Sequence, residues 1–184
     1  MNINKLCLFV SAAVLCTSAI ATPATWDIIP AESQLTFTAT QNGAPVNGEF
    51  KRFSAQIKAD PSDLKNSHID ILVDMSSVSA SYREIKDTLL TPDWFNVKAF
   101  PNAEFKATEF KKTGNNAYQA IGTLTIRNIS QPTTLTFSAN LSDPKKSIVT
   151  GTANIKRNAF GVGQGEWSGT DQIKDEVLVS FKVL

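Results

Sequence analysis

The stretch Glu176-Val177-Leu178-Val179-Ser180-Phe181-Lys182-Val183 decides how this chain is read. Val177, Val179, Phe181 and Val183 stand two apart. A period of two sends alternate side chains to opposite faces of a strand. The same spacing recurs at Leu35, Phe37 and Ala39, at Ile69, Ile71, Val73 and Met75, and at Leu135, Phe137, Ala139 and Leu141. So many such runs in 184 residues predict an all-β, antiparallel sheet with one dry face and one wet face. Function turns on what occupies the dry side: packed side chains, or a cavity for an oily ligand.

Working outward, the pattern predicts strands over 25–29, 34–40, 48–60, 68–74, 103–111, 117–126, 133–141, 148–156 and 176–183. Turn chemistry separates them at Asp60-Pro61-Ser62-Asp63, Gly114-Asn115-Asn116 and Asp143-Pro144. One segment breaks the pattern. Residues 82–90 read as a short helix, with Ile85, Leu89 and Leu90 on one face. Thr91 then caps a further turn that begins at Pro92. This makes a helical insertion near residues 82–96. Closing the sheet into a barrel removes its exposed edges, and a Greek-key sandwich is the competing arrangement.

The N-terminus reads as a leader. A weakly basic start precedes an apolar run over 6–16, and Ala19-Ile20-Ala21 supplies the small residues of a cleavage site. The run is shorter than the roughly 20 apolar residues that span a bilayer. A signal peptide over 1–21 and one domain over 22–184 are therefore expected. Cys7 and Cys16 would leave with the leader, and an exported domain without disulfides suits a periplasm. The formal net charge is +1 and no basic stripe is present, which argues against a nucleic-acid partner.

The dry face carries the functional hint. Ala39, Ala55, Ala59, Ala107, Ala120, Gly122, Ala139, Gly151 and Ala153 fall in register with the large residues of their strands. A barrel of about eight strands holds one small ligand when its interior is not filled. Small residues among aromatics leave such room, unless a neighbouring element packs close against them. The expected lining on the first strands is Phe37, Phe50, Phe53, Ile57, Ile71 and Val73. Leu89, Trp94, Phe95 and Phe100 would come from the insertion, which could act as a lid. Phe105, Leu124, Phe137 and Phe160 complete the set. Apolar burial at about 25 cal/mol per Å² gives a long hydrocarbon of several hundred Å² about 10 kcal/mol gross, part of it offset by ordering.

Catalytic patterns are missing from the sequence. His68, the one histidine, sits on the polar side of its strand beside Asp70. No G-x-S-x-G elbow and no H-E-x-x-H helix occur. Gly161-Val162-Gly163-Gln164-Gly165 has no helix after it to receive a phosphate, so it reads as a turn or a close backbone approach. Arg83 and Asp87 stand four apart on the helix, either as an exposed ion pair or as contacts for an anionic head group. Neither a metal site nor a cofactor is indicated.

The order and spacing of short motifs resemble the YceI-like family of exported, lipocalin-like proteins. They comprise Trp26-Asp27, Ser33-x-Leu35-x-Phe37, Gly48-x-Phe50, Asp60-Pro61, Ser76-Ser77-Val78 and Arg83…Asp87…Leu89. They continue through Asp93-Trp94-Phe95-Asn96-Val97, Phe100-Pro101-x-Ala103-x-Phe105, Gly122-x-Leu124-Thr125-Ile126 and Arg157-x-x-Phe160-Gly161. The resemblance implies an extended, up-and-down, eight-stranded barrel whose apolar tunnel holds an isoprenoid lipid, such as a prenyl quinone or prenyl phosphate. Gly163-Gln164-Gly165-Glu166-Trp167-Ser168 is similar to a branch found beside b-type membrane cytochromes, which makes such a cytochrome an expected partner. Exposed strands also make a homodimer an expectation. Many relatives carry histidine where this chain has Glu32 and Thr40.

Overall fold

The computed structural model describes residues 25–60, 63–140 and 146–184. The expected leader, both cysteines, the Pro61-Ser62 part of one predicted turn, Leu141 and the Asp143-Pro144 turn lie outside these residues. In chain order the strands are β1 (Thr25–Trp26), β2 (Gln34–Gln41), β3 (Ala44–Phe50), β4 (Phe53–Lys58), β5 (His68–Asp74) and β6 (Val78–Ala80). After helix α1 (Arg83–Leu89) come β7 (Asn102–Lys112), β8 (Ala117–Ile126), β9 (Ile129–Asn140), β10 (Ile148–Lys156) and β11 (Glu176–Val183).

All pairings are antiparallel, in the order β1-β4-β5-β7-β8-β9-β10-β11-β2-β3-β6. Eleven strands replace the eight expected, for a local reason. β3 and β4 are one run of chain, broken at Lys51-Arg52, and β5 and β6 are one run broken by a 3₁₀ turn at Met75–Ser77. With those pieces joined and the two-residue β1 set aside, eight long strands remain. They follow one another up and down. The curled half-barrel has its ladder ends at β1 and β6, next to β4 and β3, so the continuous chain through Lys51-Arg52 links the two ends.

Side chains hold that corner. The Arg52 N–H donates to Ser77 Oγ (3.0 Å), and its guanidinium reaches Asp74 (2.8 Å) and Ser76 Oγ (3.1 Å). Asp74 also accepts from the Ser76 N–H at 2.9 Å and so caps the 3₁₀ turn. The Arg52 and Ser76 contacts hold the Asp74 carboxyl below the usual carboxylate range, hydrogen bonding from Ser76 contributing most.

Two hairpins extend the predicted strands. Asn42 and Gly43, both at positive φ, join β2 to β3. Arg127 and Asn128, also at positive φ, join β8 to β9. β9 therefore starts four residues before the predicted Thr133 and includes Pro132. β10 pairs only with Thr136–Asn140 of β9, so Pro132 lies where β9 has no ladder on that side. A residue without an N–H is tolerated there.

The inward faces follow the period of two, but few inward residues are fully buried. Along β4 the side chains alternate between exposed and half-buried, and Val177, Val179, Phe181 and Val183 of β11 are all half-buried. A packed core would bury them. The buried apolar residues gather in two clusters, one around Phe37, Met75, Val78, Leu89, Trp94 and Phe160, the other at Phe105, Ala107 and Ala120.

Candidate functional site

Between these clusters lies a cavity of about 580 Å³ with an almost wholly apolar wall. That volume is in the range of small-molecule sites, about 300–1,000 Å³. The strands supply the wall by alternation. Leu35, Phe37 and Ala39 come from β2, Ile69, Ile71 and Val73 from β5, and Val177, Val179, Phe181 and Val183 from β11. At one end stand α1, Trp94, Phe95 and the loop that carries Val162, Trp167 and Ile173. At the other stand Trp26, Leu64, Lys146, Val149 and Leu184.

Of the predicted lining, Phe37, Phe50, Phe53, Ile57, Ile71, Val73, Leu89, Trp94, Phe95, Phe105, Leu124, Phe137 and Phe160 all border the cavity. Phe37, Phe50 and Phe95 form a chain of tilted rings with centroids 5.6 and 5.8 Å apart. Phe100 does not border it. Its ring lies 5.8 Å from the Arg127 guanidinium, outside the wall. Arg83 and Asp87 do not border it either. They form a largely exposed ion pair at 3.6 Å, while Glu84, Ile85, Thr88 and Leu89 turn to the cavity. The helical period explains this: 84, 85, 88 and 89 share one face and 83 and 87 lie off it.

The small residues divide into two groups. Ala39, Ala55, Ala59, Ala139 and Ala153 border the cavity and leave room. Ala107 and Ala120 are instead packed beneath Phe105 and Phe110. Gly122 and Gly151 are sites of close approach. At Gly151 a Cβ would stand 2.5 Å from the Phe181 ring, so the glycine lets that ring lie across its strand.

Arg157 is the site residue that periodicity could not find. It is 3% exposed and belongs to the cavity wall. Its Nε donates to the Lys174 carbonyl (3.1 Å), and its Nη2 to those of Gly169 (2.8 Å) and Ile173 (2.9 Å). Its Nη1 serves the carbonyls of Val162 (3.1 Å) and Gly163 (3.2 Å) and Asn158 Oδ1 (3.1 Å). One guanidinium thus folds the 158–174 loop around itself. Burial pulls its pKa down from the ordinary arginine value. The glycine-rich run makes the expected close approach. Val162 and Gly163 offer carbonyls to Arg157, and the N–H groups of Gly163 and Gln164 donate to the Asp93 carbonyl, both at 2.8 Å. This joins the loop to the Trp94 turn. Above it the guanidinium lies 5.8 Å from the Trp94 ring, and Trp167 lies 5.9 Å from it.

At the opposite end Lys146 pairs with Glu32 at 2.6 Å. Glu32 is the first of the two positions at which the family resemblance leads to an expectation of histidine. Thr40, the second, accepts from the Lys174 N–H at 3.0 Å through its carbonyl. His68 is half-buried and does not border the cavity. Among the described residues no cluster of His, Cys, Asp and Glu could hold a metal ion.

Comparison with known proteins agrees with this geometry. Residues 26–184 match the YceI-like domain, and the chain belongs to that family. A UPF0312 protein of Pseudomonas putida is 28% identical over 131 residues, 68% of each chain. The crystal structure of BcnA from Burkholderia cenocepacia superposes with a TM-score of 0.81 at 31% identity, over 85% of this chain and 98% of that one. A polyisoprenoid binding domain from Saccharophagus degradans, implicated in plant cell wall breakdown, has the same fold. Its TM-score is 0.62 at 13% identity, over 85% of this chain and 95% of that one.

Proposed function

We propose that this YceI-like protein binds and carries one long-chain isoprenoid lipid, a prenyl quinone or prenyl phosphate, inside its barrel. The observation that carries the reading is the cavity of about 580 Å³, whose wall is apolar and whose inward side chains stay half-buried. The isoprenoid binding named for a protein of the same fold supports the choice of ligand class. The function is binding rather than catalysis: holding a hydrocarbon chain needs apolar area, and the wall supplies it without a nucleophile or a base. The protein works in the periplasm, after removal of the leader over 1–21. A mature chain that begins at Thr22, found by mass spectrometry of a periplasmic fraction, checks this, and an uncleaved cytoplasmic chain contradicts it.

The experiment for the binding claim is a titration of delipidated protein with a prenyl quinone, followed through tryptophan fluorescence. Trp94 and Trp167 border the cavity, so saturable quenching at one equivalent is expected. A linear, unsaturated response contradicts the reading. Presentation of a quinone to a b-type membrane cytochrome is the specialised form of this function, and it rests on the 163–168 motif. It requires tighter binding of quinone than of a saturated chain of equal length. Equal affinities remove it. Pairing of two copies would show as a doubled mass in light scattering.

A further inference from the structure

The Trp94 indole is 8% exposed, and its Nε1 is buried without any hydrogen-bond partner. Buried tryptophan N–H groups normally have one, and leaving one unmet costs about 1–3 kcal/mol. It is the only buried side-chain nitrogen or oxygen in that condition among the described residues. By contrast, Trp26 Nε1 donates to the Ala59 carbonyl at 3.1 Å. Trp94 also borders the cavity.

A second observation falls at the same place. Arg157 is a buried cation, and its hydrogen bonds all go to neutral oxygens, five of them backbone carbonyls. Its guanidinium stands over the Trp94 ring. A cation on the ring face draws electron density from the indole and makes its N–H a stronger donor. The Arg157 cation is committed to these oxygens and feels the Asp175 carboxylate, so this end of the cavity offers a ligand a single uncommitted N–H.

We propose that Trp94 Nε1 is the head-group donor of the cavity and receives one neutral acceptor oxygen, a carbonyl or ether carried on the long apolar ligand. This rests on the lipid-binding reading and adds the ligand's orientation: head at the Trp94–Arg157 end, tail toward β1. A neutral oxygen suits one donor. A dehydrated phosphate needs several donors to offset the loss of its water, and the N–H groups of Arg157 already have acceptors. Glu84, on the α1 face that borders the same end, further disfavours an anion. Trp94 Nε1 is screened from water, so the wall must give slightly to admit the oxygen. The half-buried Trp167 ring, tilted 53° across Trp94, is the neighbour that would have to shift.

The test uses delipidated full-length protein and three probes: a prenyl quinone, a prenyl phosphate and squalene, a prenyl hydrocarbon with no acceptor. Trp94→Phe keeps a ring and removes the N–H. It is expected to weaken quinone binding about five- to ten-fold more than squalene binding, the worth of one neutral hydrogen bond. Equal weakening for both would assign Trp94 a packing role alone and overturn the proposal. So would a wild-type preference for the phosphate that Trp94→Phe abolishes. A second measurement does not depend on the variant folding. In ¹⁵N-labelled wild type, the indole N–H proton of Trp94 should move downfield with quinone and not with squalene, while the Trp26 indole at the tail end responds alike to both. Identical spectra with the two probes overturn the proposal. If the wild type binds none of the probes, the lipid-binding reading itself falls, which is a different result.

Discussion

The residue that organises the site is Arg157. Replacing it with methionine keeps an unbranched apolar stem and removes every donor. The carbonyls of Val162, Gly163, Gly169, Ile173 and Lys174 then lose a buried partner. A loss of about 3 kcal/mol or more is expected, seen as a fall in Tm of about 6–12 °C. A Tm within a degree of wild type would show that the loop does not need the guanidinium. Asp74 makes a smaller contribution with a pH signature. Its folded pKa lies below the ordinary 3.8. Its stabilisation is therefore present above the ordinary value and disappears as pH falls through the folded one. Asp74→Asn should be less stable than wild type at pH 7 by at most about 1 kcal/mol, because 36% of the Asp74 side chain is in water. The gap should close in acid, as followed by urea unfolding across pH. A gap that widens in acid contradicts the assignment.

At the scale of elements, strands were legible because one property, alternation, recurs in each. β5, β8, β10 and β11 have the predicted limits. The errors lie where a local signal was read against its context. Asn42-Gly43 is a strong hairpin signal, but β3 behind it is mixed in character: Ala44, Pro45 and Asn47 weaken its alternation. The predicted strand starts at Thr133, just after Pro132, and β9 extends back through that proline because it is unpaired on one side there. The kink at Lys51-Arg52 depends on Ser77 and Asp74, more than twenty residues away, so no local reading shows it. Arg157 was seen as a family motif but not as a wall residue, since its partners are carbonyls spread over 162–174. For the insertion the apolar face was legible, and of the two readings of Arg83 and Asp87 the structure shows the exposed ion pair. Arg83→Ala and Asp87→Ala should therefore leave lipid binding unchanged and stability within about 0.5 kcal/mol. Leu89→Ala should cost about 2–4 kcal/mol, because Leu89 is buried with Trp94 and Phe160. Calorimetry checks both. A weaker lipid affinity in Arg83→Ala would restore the head-group role to α1.

For the whole molecule, the hollow interior separates this barrel from one that exists only to be stable. Its inward residues retain accessible surface, so some hydrophobic stabilisation is withheld until a chain enters. A bound lipid then adds to stability by mass action. Ala55→Phe tests the hollow from inside. Ala55 borders the cavity, so the new ring should occupy ligand space and reduce bound lipid several-fold, with Tm held within about 2–4 °C. In a filled core the same change would cost about 1–3 kcal/mol through overpacking and lower Tm more. The most direct measurement is detergent-free purification of the full-length protein from its native compartment, followed by native mass spectrometry and solvent extraction. One isoprenoid lipid per chain is the result expected of a barrel built around an apolar hollow. A lipid-free chain that also fails to take up a prenyl quinone in solution would contradict it.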